Sequence, residues 1–105
     1  MLIQINTDDN IDQPAALTKQ IEATVRDVLD RFANQVTRVE IHLSDENSDK
    51  KSGRSDMRCL LEARLEGREP VAVSDEAATV ARAVDGAVRK MSRSLDSTLG
   101  RLQKR

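Results

Sequence analysis

Aromatic side chains are almost missing from this sequence: Phe32 is the single one, with no Trp and no Tyr. That excludes stacking of unpaired bases on an aromatic platform, the usual device of single-strand binders. It also leaves any core to Leu, Ile, Val, Ala and Met. Cysteine and histidine occur once each, as Cys59 and His42. A lone cysteine closes no internal disulfide, and one Cys with one His falls short of a tetrahedral zinc set. Every Ser-His-Asp scheme must draw on His42, which lies in an alternating stretch beside Glu40. There is no glycine-rich phosphate loop. No apolar run approaches the roughly 18 residues of a spanning helix, and the opening MLIQINTDDN has neither the basic nor the apolar part of a secretory signal. These absences imply a cytoplasmic protein that is no enzyme, with no catalytic residues, metal, cofactor, membrane partner or small-molecule substrate.

What the sequence does have is charge, and it is unevenly placed. Charged residues make up 33% of the 105, yet the net charge is only −1. Residues 77–105 carry seven Lys or Arg against two acids, whereas residues 1–76 carry ten against sixteen. Such segregation points to an anionic partner for the basic third.

Hydrophobic patterning yields six elements. Ile3 and Ile5 alternate with Gln4 and Asn6 over residues 1–6, a short strand. Asp12 or Gln13 then stands at a helix cap, with Pro14 in the first turn. Leu17, Ile21, Val25, Val28, Leu29 and Phe32 recur at spacings of three and four, which predicts an amphipathic helix ending near Ala33. Val39, Ile41 and Leu43 alternate with charged neighbours in a second strand. Residues 45–56 contain no apolar side chain at all and predict a mobile loop. Cys59, Leu61, Ala63 and Leu65 face inward in a third strand; Val71 and Val73 do so in a fourth, after a turn at Gly67. A long helix follows over residues 75–102, with Ser74 or Asp75 as its cap and Glu76 in its first turn.

The order β-α-β-β-β-α implies an α+β fold. The first two strands run parallel through a crossover, the rest form a meander, and both helices pack on one face of a four-stranded sheet. No linker or repeat divides the chain, so residues 1–105 read as a single domain.

The long helix separates into two faces at 100° per residue. Val80, Val84, Val88, Met91, Leu95, Leu99 and Leu102, with Ala77 and Ala81, share one direction. Arg82, Arg89 and Arg93 fall within about 40° of one another on nearly the opposite side, and Lys90, Arg101 and Lys104 widen that stripe. At 28 residues the helix is about 42 Å long, enough to follow several phosphates. Gly86 lies on the same basic face, where it either admits a close nucleic-acid backbone or is a tolerated surface glycine. Lys50, Lys51 and Arg54 are further cations within the loop.

The segment from Ala83 to Leu95 resembles a second-helix motif of the bacterial ribosome hibernation-promoting factors, a group that includes the ribosome-associated inhibitor A proteins. Ala83, Val84, Asp85, Val88, Lys90, Met91, Arg93 and Leu95 occupy the motif's fixed positions. The element order, the charged loop and the stretch from Phe32 to Leu43 are also similar. The resemblance implies binding to the small ribosomal subunit in the mRNA and tRNA channel, with inhibition of translation during stress. Arg82, Arg89, Lys90, Arg93, Arg101 and Lys104 on the second helix, with Lys19 and Arg26 on the first, would contact ribosomal RNA. The chain resembles a diverged short form, a monomer off the ribosome. Positions aligned with first-helix lysines of the family hold Val25 and Val28, with Lys19, Arg26 and Arg31 as the cations nearby. The alternative reading is a protein-interaction module that keeps the fold without binding the ribosome.

Overall fold

The computed structural model describes residues 1–8, 11, 15–45 and 57–103, apart from the side chains of 101–103. Strand β1 (Leu2–Thr7) is followed by helix α1 (Ala15–Leu29), which tightens into a 3₁₀ turn at Asp30–Phe32. Strands β2 (Val36–Asp45), β3 (Met57–Leu65) and β4 (Val71–Ala77) come next, and helix α2 (Val80–Gln103) completes the fold. The expected caps of the first helix at residues 12–14, and the loop cations Lys50, Lys51 and Arg54, lie outside the described residues.

The sheet has the order β1-β2-β3-β4. β1 pairs parallel with β2, Ile3 opposite Val39 and Ile5 opposite Ile41. The remaining pairs are antiparallel. At the start of β2 the register slips between Val36 and Arg38, and Thr37 Oγ1 donates to the Arg64 carbonyl at 3.2 Å. Gly67, at φ +72°, takes the left-handed conformation that lets β3 turn into β4.

The α+β arrangement expected from the pattern is present. Val39, Ile41, Leu43, Cys59, Leu61 and Ala63 are buried on one face of the sheet. Ile21, Val25 and Leu29 of α1 and Val84, Val88, Met91 and Leu95 of α2 close over them. Each of these larger side chains contributes about 1.5–3 kcal/mol on leaving water. Val25 is completely buried, so it belongs to the core and cannot stand at a solvent-facing lysine position.

The start of α2 differs from expectation. β4 continues through Ser74, Asp75, Glu76 and Ala77, and the helix begins at Val80. Thr79 is the cap: its Oγ1 accepts the backbone N–H of Arg82 at 3.2 Å. Ladder pairing explains the change, because Cys59 lies opposite Asp75 and Met57 opposite Ala77; hydrogen bonds to β3 outweigh the capping preference of Ser74 and Asp75. With 24 residues, α2 is about 36 Å long rather than 42.

Candidate nucleic-acid interface

α2 lies over β3 and β4 with its apolar stripe against the sheet, which turns the opposite stripe to solvent. Arg82, Arg89 and Arg93 are all exposed there. Their electrostatic states differ. Arg89 reaches Asp85 one turn earlier at 3.3 Å, an exposed pair worth little by itself. Arg82 and Arg93 carry no side-chain ion pair among the described residues. They are the free cations of this face.

Lys90 projects about 80° from Arg82 around the helix, over the β4 side. Its Nζ lies 3.0 Å from Asp75 Oδ1 and donates to the Ser74 carbonyl at 2.9 Å. Gly86 occupies the same flank. A Cβ there would stand 1.8 Å from Asp75 Oδ2. Thus Gly86 is not an open patch of the basic face; it makes room for a carboxylate from the neighbouring strand.

The other flank of α2 meets α1. Leu17, Gln20, Ile21 and Thr24 of α1 face Ala81 and Asp85 of α2 across a groove of about 250 Å³. Relative to that direction, Lys19 and Arg26 project about 150–170° away. Both are exposed, but they sit on the far side of α1. The fold therefore does not gather them with the α2 stripe. Arg101 lies within α2 by its backbone alone, and Lys104 lies outside the described residues.

Arg31 was the unexpected participant. From the 3₁₀ turn it donates through Nη1 and Nη2 to the two Asp96 oxygens at 2.7 and 2.8 Å, and through Nη2 to Ser92 Oγ at 3.1 Å. Its guanidinium also stacks 4.2 Å over the Phe32 ring. The hydrogen bonds raise the Arg31 pKa and lower that of Asp96, so both stay charged. Sixty-five residues separate the partners, and no local pattern could have joined them.

Elsewhere the structure holds little chemistry. Cys59 is buried, and its thiol is pushed up to about 12, first by burial and then by the nearby Asp75 charge. On the open face of the sheet, Glu40 lies 2.7 Å from Arg38 Nε, 3.6 Å from His42 and 3.9 Å from Arg64. Among the described residues no group of His, Cys, Asp and Glu is disposed to hold a metal ion, and no helix is long and apolar enough to cross a membrane.

A sequence model described as sigma 54 modulation protein / S30EA ribosomal protein matches residues 3–103. No curated protein matches the chain. Among solved structures, the N-terminal domain of Thermus thermophilus Protein Y superimposes with a TM-score of 0.73 at 21% identity, over 93% of this chain and 99% of that one. A ribosomal subunit interface protein from Coxiella burnetii gives 0.76 at 15% identity, over 95% and 99%. At these identities the likeness is one of fold.

Proposed function

We propose that this chain, which belongs to the sigma 54 modulation protein / S30EA ribosomal protein family, associates with the ribosome through the solvent face of α2. The observation that carries the reading is the line of Arg82, Arg89 and Arg93, exposed along a rigid helix whose other face is locked into the core. Seven residues separate Arg82 from Arg89, which is about 10 Å of rise. Arginines along one helix face can each meet a phosphate of an RNA backbone, and contacts of that kind fix position without reading sequence.

The target is the small subunit, in the channel that carries mRNA and tRNA, and the mechanism is steric. A protein seated there keeps both ligands out and so halts translation, as a cytoplasmic hibernation factor acting under stress does. No bond is made or broken. Binding free energy on ribosomal RNA is the whole of the activity, so affinity falls as salt rises.

Co-sedimentation with purified small subunits at two salt concentrations tests the proposal. Replacing Arg82 and Arg93 by Ala should abolish most of the salt-dependent binding, and undiminished binding by that double variant would place the contact elsewhere.

A second reading is favoured by where the acids fall. Asp85 and Asp96 stand on the α1 side of α2, Asp96 is tied to Arg31, and Lys19 and Arg26 point away. This mixed surface suits a protein partner. Under this reading the chain binds a protein with little salt dependence and does not travel with ribosomes.

A further inference from the structure

We propose that Asp75, seated in the notch left by Gly86, is an internal anion that withholds Lys90 from the RNA-contacting surface. The idea rests on the reading of the α2 face given above and assigns which of its cations engage RNA.

Three observations meet at this point. Asp75 lies opposite Cys59 in the β3–β4 register, two residues on from Val73, so strand alternation aims it at the helix-covered side of the sheet. Its carboxylate thus approaches α2 from below, not from solvent. One oxygen, Oδ1, takes the Lys90 ammonium at 3.0 Å while the Ser74 carbonyl takes it at 2.9 Å. Two of the three ammonium donors are then committed within the protein. The second oxygen, Oδ2, occupies the volume where any other residue at position 86 would place its Cβ. A mid-helix glycine costs helix stability, and here it supplies the space that the carboxylate fills.

Burial separates this pair from that of Arg89 with Asp85, the other ion pair made by an α2 cation among the described residues. The Asp75 side chain is 28% exposed and that of Lys90 46%, against 50% and 70% for Asp85 and Arg89. Arg89 can swing to a phosphate and leave Asp85 well solvated. If Lys90 did the same, it would abandon two acceptors and leave a half-covered carboxylate beside the buried Cys59. A phosphate therefore meets Arg82 and Arg93 first, and Lys90 stays on Asp75.

The test has two arms that use different properties. In the first, the free protein is acylated with an amine reagent and its lysines are followed by mass spectrometry. Lys19, exposed and unpaired among the described residues, is the internal reference. Lys90 should label severalfold more slowly than Lys19, and should approach it in both Asp75→Ala and Gly86→Ala, the one removing the carboxylate and the other displacing it. Equal labelling of Lys90 and Lys19 in the parent protein overturns the proposal.

In the second arm, Lys90→Ala should leave small-subunit affinity and its salt slope unchanged. In an Asp75→Ala background the same substitution should remove a recovered contact, about 0.9 in log-log slope on a duplex. A loss from Lys90→Ala in the parent as large as that from Arg93→Ala overturns the proposal as well. A parent protein that ignores ribosomes defeats the proposed function alone, because the labelling arm still decides the tether.

Discussion

Gly86→Ala is the substitution whose outcome departs furthest from helix propensity. Alanine for glycine in a solvated helix interior ordinarily stabilises by about 1 kcal/mol. Here the new Cβ would stand 1.8 Å from Asp75 Oδ2 and 2.7 Å from Cγ, but 3.4 Å from the Asp75 Cβ. Strand β4 can therefore stay in place while the carboxylate rotates away. That rotation weakens an ion pair of modest worth, about 0.5–1 kcal/mol after allowance for its partial exposure, and forces a poorer rotamer at about 0.5–1.5 kcal/mol. These costs offset the propensity gain, so the expected change runs from nearly nothing to about 1.5 kcal/mol of destabilisation. In an Asp75→Ala background the obstacle is gone, and Gly86→Ala should recover its full stabilisation of about 1 kcal/mol. The coupling between the two sites is then about 1–2.5 kcal/mol. Urea titrations of the four proteins measure it through the midpoint at constant m. If Gly86→Ala stabilises both backgrounds equally, Asp75 does not lie against Gly86 and the argument built on that contact fails.

Other outcomes follow from the same packing. Leu95→Ala, at a fully buried position between α2 and the sheet, should cost about 2–5 kcal/mol in urea titration; a loss below about 1 kcal/mol would mean that α2 is not docked as described. The Cys59 thiol, raised to about 12, should resist a thiol reagent at pH 8 until the protein unfolds, and prompt stoichiometric labelling of the native protein would contradict its burial. Because that pKa is higher in the folded state, its contribution to stability is intact below the ordinary thiol value and declines as pH climbs from about 9 toward 12. Asp96 is shifted the other way, downward, by its hydrogen bonds from Arg31. Its contribution holds above the ordinary carboxylate range and disappears as acid protonates it, so the melting temperatures of the parent and Asp96→Asn should converge at low pH; a difference that widens in acid would reverse that assignment.

Periodicity made most of this fold legible. The inward residues of β2 and β3 follow strict alternation, and the buried positions of both helices recur at threes and fours. The boundary between β4 and α2 was obscured because two signals overlap there. Ser74 and Asp75 suit a helix cap, yet Val71, Val73, Asp75 and Ala77 also continue the period of two, and pairing with β3 settles the matter. The candidate interface was only partly legible. Helical spacing placed Arg82, Arg89 and Arg93 together, since that is a property of one element. Where Lys19 and Arg26 point depends on how α1 is rotated against α2, and a single helical period cannot supply the rotation. The clasp of Arg31 on Asp96 depends on tertiary packing across 65 residues.

Charge counted along the chain and charge presented at a surface are consequently different quantities here. The segment from 77 to 105 has a large excess of Lys and Arg, which by itself suggests many phosphate contacts. Folding brings Asp75 from β4 onto Lys90, and local helix geometry puts Asp85 on Arg89. Of the four α2 cations whose side chains are described, two are thus already opposed by carboxylates, and Arg82 and Arg93 are left. If those two alone engage phosphates, the log-log salt slope is near −1.8 on a duplex, or shallower on single strands. If Arg89 gives up Asp85 as well, the slope nears −2.7. The measured slope therefore distinguishes a surface that sheds its internal acids on binding from one that keeps them. A value steeper than about −3 would require Lys90 or cations outside this stripe to take part.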